Sequence, residues 1–160
     1  MNNQEIIKVE DLTRNYRMIY AENPEDREIK VLKGLNFAVK TEEFVGIMGK
    51  SGCGKTTLLK VLGLIDKPTD GTLYFNGVDS RKLWSDELAD IRRRKMGFVF
   101  QDFYLLDSLS VEDNIMVPMV LDKAPVKDCL EKVAYYMEKF GLMHLTKKKP
   151  NELSGGERQR

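Results

Sequence analysis

Apolar and polar residues alternate over several stretches of the chain, as in β-strands with one face in water. Residues 6–14 alternate loosely, and residues 31–39 alternate clearly. The pattern predicts two antiparallel strands over these ranges. A further strand is predicted over residues 72–75, between the turn dipeptides Asp70-Gly71 and Asn76-Gly77. Residues 21–28 are polar, contain a proline and are predicted to form a solvated loop.

Two other stretches are apolar without interruption. They are Phe44-Val45-Gly46-Ile47-Met48 and Met96-Gly97-Phe98-Val99-Phe100, and the second is followed by Gln101. Uninterrupted apolar runs of this length are typical of parallel strands that are buried on both faces. We therefore expect a parallel sheet in addition to the antiparallel strands.

Between and after the predicted strands, apolar residues recur at the spacing of α-helices. Residues 57–64 carry apolar positions at 58, 59, 61 and 62, and a second helix is predicted from Ser85, with Leu88 and Ile91 on one side. Ser110 and Asp113 resemble a capping box that opens a helix which Pro118 ends or kinks. The clearest amphipathic helix begins at Pro125 and stops at Gly141, with a predicted core stripe of Val126, Cys129, Leu130, Val133, Met137 and Phe140.

Composition and charge narrow the class of protein. The 160 residues are enough for one domain, and 26 basic side chains nearly balance 25 acidic ones. The short basic run at residues 92–95 is interpreted as a solvated helix end, so we expect no nucleic-acid partner. No apolar run is long enough to cross a bilayer, and the first five residues lack a signal pattern. We expect a cytoplasmic location.

The segment with the most specific chemistry is Gly49-Lys50-Ser51-Gly52-Cys53-Gly54-Lys55-Thr56. It matches G-x-x-x-x-G-K-[ST], and it lies between a predicted strand and a predicted helix, as a phosphate-binding loop must. Backbone N–H groups of such a loop converge on a polyphosphate at the positive end of the following helix. Lys55 is predicted to contact the β- and γ-phosphates, Thr56 to hold Mg²⁺, and Thr57 to donate to a phosphate nearer the sugar.

A second candidate phosphate site lies at Leu153-Ser154-Gly155-Gly156-Glu157-Arg158-Gln159-Arg160. Ser154 and Glu157 have the spacing of a capping box, and the two glycines leave the helix start without side chains. A helix start of this kind is suited to an anion. Taken alone, the segment is more typical of an ordinary helix cap than of an anion site.

Taken together, the two motifs and Gln101 resemble the ATP-binding subunit of ABC transporters over the whole chain. The resemblance implies an α/β P-loop NTPase fold of the ABC type. It also implies three parts: an antiparallel β subdomain over roughly residues 1–40 and 70–80, a P-loop core over 41–66 and 96–101, and a helical subdomain over 84–95 and 102–160. The chain ends before the family's Walker B strand and catalytic glutamate, so we expect an incomplete domain that is marginal or aggregation-prone on its own.

The resemblance also implies roles for single residues. Tyr16 matches the aromatic residue that stacks on adenine, although a tyrosine at a strand end also packs locally. Gln101 matches the residue that contacts Mg²⁺ and the attacking water. Ser154, Gly155 and Gly156 match the groups that bind the γ-phosphate held by a second subunit, and Glu157 completes their helix cap. Lys55 and Gln101 are thus the expected catalytic residues, and the chain offers no general base.

Finer similarities in residues 98–107 and 110–118 resemble the group that exports or removes bacitracin-type antimicrobial peptides. Lipoprotein-release and macrolide-export ATPases are its relatives. We therefore expect ATP and Mg²⁺ as cofactors, a homodimer, and attachment to the inner face of the membrane through a separate permease. The aromatic and leucine residues after Gln101 would receive that permease, although Leu105 and Leu106 also fit a core position. The remaining alternatives are an ABC-type ATPase of DNA repair or translation and a nucleotide-binding module that does not hydrolyse ATP.

Overall fold

The computed structural model describes residues 4–18 and 28–160. The chain divides into two units, Met1–Met96 and Gly97–Arg160. The predicted loop at residues 21–28 lies outside the described residues, except for Glu28, which begins the second strand. The finer division into subdomains that the sequence predicts remains a prediction.

The first unit is built on a four-stranded antiparallel sheet. Its strands are β1 (Glu5–Arg17), β2 (Glu28–Lys40), β3 (Asp70–Phe75) and β4 (Val78–Asp79), in the order β2-β1-β3-β4. The predicted antiparallel strands are therefore confirmed, and each of the three is longer than its apolar pattern. β1 pairs with β2 on one side and β3 on the other, which fixes it at the centre of the sheet.

Two helices cover this sheet. α1 (Lys55–Leu62) and α2 (Ser85–Lys95) form where helical spacing predicts them, and a 3₁₀ turn at Ser80–Lys82 precedes α2. Side chains from the sheet and both helices share one apolar core. Its buried members are Val9, Leu12, Leu32, Leu58, Val61, Leu64, Leu73, Phe75 and Leu88.

The two predicted parallel strands are not present. Residues 44–48 and 96–100 form no strand, and Phe44, Met48 and Val99 are 100%, 94% and 89% exposed. Gln101 accordingly follows an irregular segment and not a strand. A strand requires hydrogen bonds to a neighbouring strand, and within the described residues neither run has one. An apolar sequence alone supplies no such partner.

The second unit is helical. It contains α3 (Val111–Leu121), α4 (Val126–Lys139) and α5 (Gly155–Gln159), with 3₁₀ turns at Met143–Leu145 and Pro150–Glu152. Its buried core consists of Val111, Val133, Met137, Leu142, Leu145 and Leu153. The capping box of Ser110 and Asp113 opens α3 as predicted.

Two helix predictions need correction. Pro118 was predicted to end or kink the helix. It does not end α3, which continues to Leu121, because proline removes one intrahelical hydrogen bond without preventing the next residues from remaining helical. The kink stays a prediction. The predicted stripe of α4 is only half correct. Cys129, Val133 and Met137 are buried, whereas Val126, Leu130 and Phe140 are 69%, 46% and 45% exposed. α3 and the segment after α4 cover only part of the stripe.

Candidate nucleotide site

The phosphate-binding loop lies at the start of α1 in the first unit. Gly54 is the residue before the helix and adopts the left-handed conformation, with φ of 97°. A Cβ atom at Gly54 would lie 2.9 Å from Cγ1 of Val31 and 3.3 Å from the carbonyl oxygen of Val31. Both the backbone conformation and the close approach of β2 therefore require glycine at this position.

The side chain of Lys55 folds back over the loop. Its Nζ donates to the carbonyl oxygens of Gly49 and Lys50, both at 2.8 Å, and lies 3.8 Å from Sγ of Cys53. The ammonium group is thus held among the backbone groups of the loop that a phosphate would approach. Its partners are neutral carbonyls, so its positive charge is not neutralised by any of them.

The N-terminus of α1 adds to this positive field. No side chain caps the helix, and its first turn contains no acidic residue. The first N–H groups of the helix therefore remain available as donors, and they lie beside the Lys55 cation. Gly52, Cys53, Ser51 and Thr56 are exposed, so the loop is open to solvent. The geometry suits a multiply charged anion.

An open hollow of about 520 Å³ adjoins the loop. It is lined by residues 52–55 of the loop and by residues 29–33 and Leu35 of β2, together with Ile47, Met48 and Leu58. The hollow is mainly apolar, and its cations include Lys55.

Tyr16 lies near the end of β1 in the same unit. Its hydroxyl donates to Oδ2 of Asp66 at 2.9 Å, and the guanidinium of Arg14 lies 4.5 Å from its ring centroid. Arg14 also donates to both carboxylate oxygens of Asp66. Burial alone would lower the pKa of Arg14, but the neighbouring Tyr16 side chain and the charge of Asp66 leave this pKa above its ordinary value.

The remaining predicted site residues lie in the second unit. Ser154 is the N-cap of α5, where its Oγ accepts from the N–H of Glu157 at 3.3 Å and its own N–H donates to Oε2 of Glu157 at 2.7 Å. These bonds lower the pKa of Glu157, with the backbone N–H of Ser154 as the largest cause. Gly155 and Gly156 are exposed, and nothing lies within 4 Å of where their Cβ atoms would be. The predicted bare helix start is confirmed.

Gln101 is exposed in the same unit. It lies between Phe100 and Tyr104 in sequence. The rings of Phe98 and Phe100 are stacked with centroids 5.4 Å apart, and the ring of Tyr104 meets that of Phe100 edge-on at 4.9 Å. Tyr104 and Leu106 are 65% and 50% exposed, while Phe103 and Leu105 are partly covered.

The family of the chain follows from a comparison with known protein families. Residues 32–160 match the family model described as ABC transporter. The chain belongs to the ABC transporter family. The fold prediction is confirmed, because the structure has the antiparallel sheet and the helices of an ABC ATPase domain.

Relatives with defined names place this ABC chain among ATP-binding proteins. It is 44% identical over 131 residues to the bacitracin export ATP-binding protein BceA of Halalkalibacterium halodurans, covering 82% of this chain and 52% of that protein. It is also 44% identical over 134 residues to the lipoprotein-releasing system ATP-binding protein LolD of Aquifex aeolicus, covering 84% and 60%. The chain thus spans less than two thirds of the length of either relative.

A solved structure supports the same assignment. The ATP-binding cassette MJ0796, determined as a dimer in a post-hydrolysis state bound to ADP and Pi, matches with a TM-score of 0.83 and 36% identity. The match covers 96% of this chain and 65% of that one. Within residues 4–18 and 28–160, the ABC chain has no helix with the length and apolar character that a membrane crossing requires.

Sequence reasoning missed the contacts that hold Tyr16. Asp66 lies 50 residues from Tyr16 in the chain, four residues beyond the end of α1 at Leu62, and no local pattern connects the two. The only available signal was the two-residue spacing of Arg14 and Tyr16, which puts both side chains on one face of a strand.

Proposed function

We propose that this chain is the ATP-binding subunit of an ABC transporter and that it binds ATP at residues 49–57. The observation that carries the proposal is the Lys55 ammonium, held over the glycine loop at an uncapped helix N-terminus. A triphosphate would replace the loop carbonyls as the partner of Lys55 and accept from the first N–H groups of α1. Tyr16 is the proposed contact for the adenine ring.

Mg²⁺ is proposed to bind together with the nucleotide. Thr56 supplies an exposed hydroxyl oxygen at the start of α1, which is a hard donor of the kind that Mg²⁺ prefers. Within the described residues no cluster of three or more acidic, histidine or cysteine side chains could hold a metal by itself. The fit is therefore to a metal whose other ligands are phosphate oxygens and water, and Gln101 is the proposed further ligand. Bound there, Mg²⁺ would neutralise phosphate charge.

A complete site is proposed to need two protomers. The exposed tip of α5, with Ser154 and its two glycines, would bind the γ-phosphate of ATP held by the phosphate-binding loop of the partner. Glu157 holds the Ser154 cap in place. The dimeric structure of the similar cassette MJ0796 supports this arrangement. Gln101 is the proposed second catalytic residue after Lys55.

The transport role is proposed from the named relatives. We infer that the subunit powers export or removal of an antimicrobial peptide or similar amphiphile through a separate permease on the inner face of the membrane. The exposed Tyr104 and Leu106 are the proposed permease contact. Because BceA and LolD are equally similar to this chain, lipoprotein release is the second candidate.

The first test concerns Lys55. We expect Lys55→Ala to weaken ATP binding by about ten- to a hundredfold, because it removes a charge-assisted contact to phosphate. Lys60→Ala, at the other end of the same helix, is the matched control and should bind like the parent. Isothermal titration calorimetry measures both. Equal affinity of the Lys55 variant and the parent would contradict the proposed site.

The second test concerns the helix tip. We expect Ser154→Arg to bind ATP like the parent but to block the ATP-dependent dimer, because a long cation would fill the space of the partner's γ-phosphate. Gln159→Arg adds the same side chain at the far end of α5 and should leave the dimer intact. Analytical ultracentrifugation with ATP distinguishes the two. An ATP-dependent dimer of the Ser154 variant would exclude this role.

A further inference from the structure

Asp66 connects the segment after α1 to the end of β1. Its Oδ1 accepts from Nη2 of Arg14 at 2.7 Å, and its Oδ2 accepts from Nε of Arg14 at 3.1 Å. The same Oδ2 accepts from the hydroxyl of Tyr16 at 2.9 Å. One carboxylate therefore binds two side chains that lie two residues apart on the same face of a strand.

These contacts restrict the ring of Tyr16 in two ways. The bond to Asp66 fixes the hydroxyl end of the ring, and the guanidinium of Arg14 lies over the ring, 4.5 Å from its centroid. A guanidinium so close to the centroid covers one ring face by a cation–π contact. Tyr16 is only partly buried, so part of the residue remains accessible to a ligand.

We propose that Asp66 and Arg14 are positioning residues that orient Tyr16 to present a single ring face to the base of the nucleotide. This inference rests on the proposed ATP site and deepens it. A side chain held in one orientation before the ligand arrives loses less conformational entropy on binding, and the affinity gains accordingly. The hydroxyl is occupied by Asp66, so Tyr16 would contribute stacking and not a hydrogen bond to the base.

The Arg14 and Asp66 side chains are only 21% and 25% exposed, so the ion pair is partly buried. Arg14 also reaches Asp66 through two donors, which fixes the plane of the guanidinium. A fixed plane is needed if the guanidinium is to stay over the ring.

The test compares ATP with inorganic tripolyphosphate, which lacks the base and sugar. We expect Asp66→Ala to weaken ATP binding by about fivefold or more, because base stacking on an aromatic side chain contributes that much, and to leave tripolyphosphate binding unchanged. Tyr16→Phe keeps the ring and the Arg14–Asp66 pair, and should show a smaller loss of the same kind. Calorimetry on the purified protein supplies the affinities.

Two further variants complete the design. Asp79→Ala removes an aspartate that pairs with Arg81 in the same unit and has no contact with Tyr16, so its ATP affinity should equal that of the parent. The double variant Asp66→Ala with Tyr16→Ala should bind ATP no more weakly than Tyr16→Ala alone, because Asp66 acts through the ring. Additive losses would overturn the inference.

The outcomes separate this inference from the proposed function. If Asp66→Ala weakens ATP and tripolyphosphate equally, or weakens neither, the positioning role is wrong. If Tyr16→Ala lowers affinity for ATP alone and Asp66→Ala does not, the site is supported and only the positioning role fails. If Tyr16→Ala has no selective effect on ATP, the proposed adenine contact fails and the inference with it.

Discussion

At Gly71 the backbone of β3 passes so close to β1 that no side chain fits. A Cβ atom there would lie 2.2 Å from the carbonyl oxygen of Asp11 and 2.6 Å from that of Glu10. Asp11 itself has a positive φ of 46°, and the pairing of β1 with both neighbours shifts register around it. The close approach thus accompanies a bulge in the central strand.

We expect Gly71→Ala to lower the free energy of unfolding by more than about 3 kcal/mol, because it adds a backbone clash to the strain of a positive φ. Gly77→Ala is a matched control: its φ of 77° is nearly the same as the 80° of Gly71, but its Cβ would meet nothing within 4 Å. The control should cost only about 1 kcal/mol. Urea denaturation followed by circular dichroism measures both, and equal losses would contradict the role of the clash.

The sequence predicted the position of a residue where a motif specifies it. It did not predict contacts that a residue makes outside such a motif. Lys55 and Ser154 belong to motifs whose spacing defines their local geometry, and the structure puts both at helix starts. Asn114 gave no such signal. Its amide accepts from the N–H of Leu106 and donates to three carbonyls between residues 106 and 110, which joins the segment before α3 to the helix.

At the scale of elements, two helices of the second unit begin with the same device. Ser110 and Asp113 form the capping box of α3, and Ser154 and Glu157 form that of α5. The side-chain hydroxyl of Ser110, at 2.5 Å, is the largest cause that lowers the pKa of Asp113. The pKa of Glu157 is lowered as well, so both helix starts bind their carboxylates in the ionised form.

A pH dependence follows from these two shifts. The ordinary pKa values are 3.8 for Asp113 and 4.5 for Glu157, and both pKa values are lower in the fold. The boxes therefore contribute their full stability above these values and lose it as pH falls through the lowered pKa values. We expect α3 and α5 to lose amide protection below about pH 4. Hydrogen exchange with mass spectrometry measures this.

The matched variants for this prediction change only the charge. Asp113→Asn with Glu157→Gln should reduce protection at neutral pH and remove its dependence on acid. Glu138→Gln, which removes an exposed acid from α4, should behave like the parent. The same acid dependence in the double variant would show that other groups cause it.

Local sequence patterns were enough to predict the helices but not all of the strands. Helices α1 to α4 were predictable because their spacing, caps and stops are local, as with Gly141, whose N–H donates to the carbonyl of Glu138. The prediction of strands at residues 44–48 and 96–100 was wrong, because strand formation depends on a partner strand elsewhere in the chain. The predicted core stripe of α4 was wrong in part, because the number of its residues that are buried depends on which elements pack against the helix.

At the scale of the whole molecule, both units expose apolar residues in quantity. In the first unit Phe44 and Met48 are 100% and 94% exposed, and in the second Val99 and Tyr104 are 89% and 65% exposed. In the first unit Val45, next to Phe44 in sequence, is also 49% exposed. Surfaces of this kind associate in water because association removes them from solvent.

We expect the double variant Phe44→Ser with Val99→Ser to associate more slowly than the parent and to unfold at the same temperature. Side chains that are 100% and 89% exposed in the fold lose no burial when the chain unfolds, so replacing them leaves the unfolding equilibrium unchanged while making self-association less favourable. Light scattering at fixed concentration measures the first effect and circular dichroism the second. Leu73→Ser, at a site only 1% exposed, is the contrasting control and should lower the midpoint sharply. A lower midpoint for the double variant would mean that Phe44 or Val99 packs against protein in solution, because only a buried side chain stabilises the fold through its apolar surface.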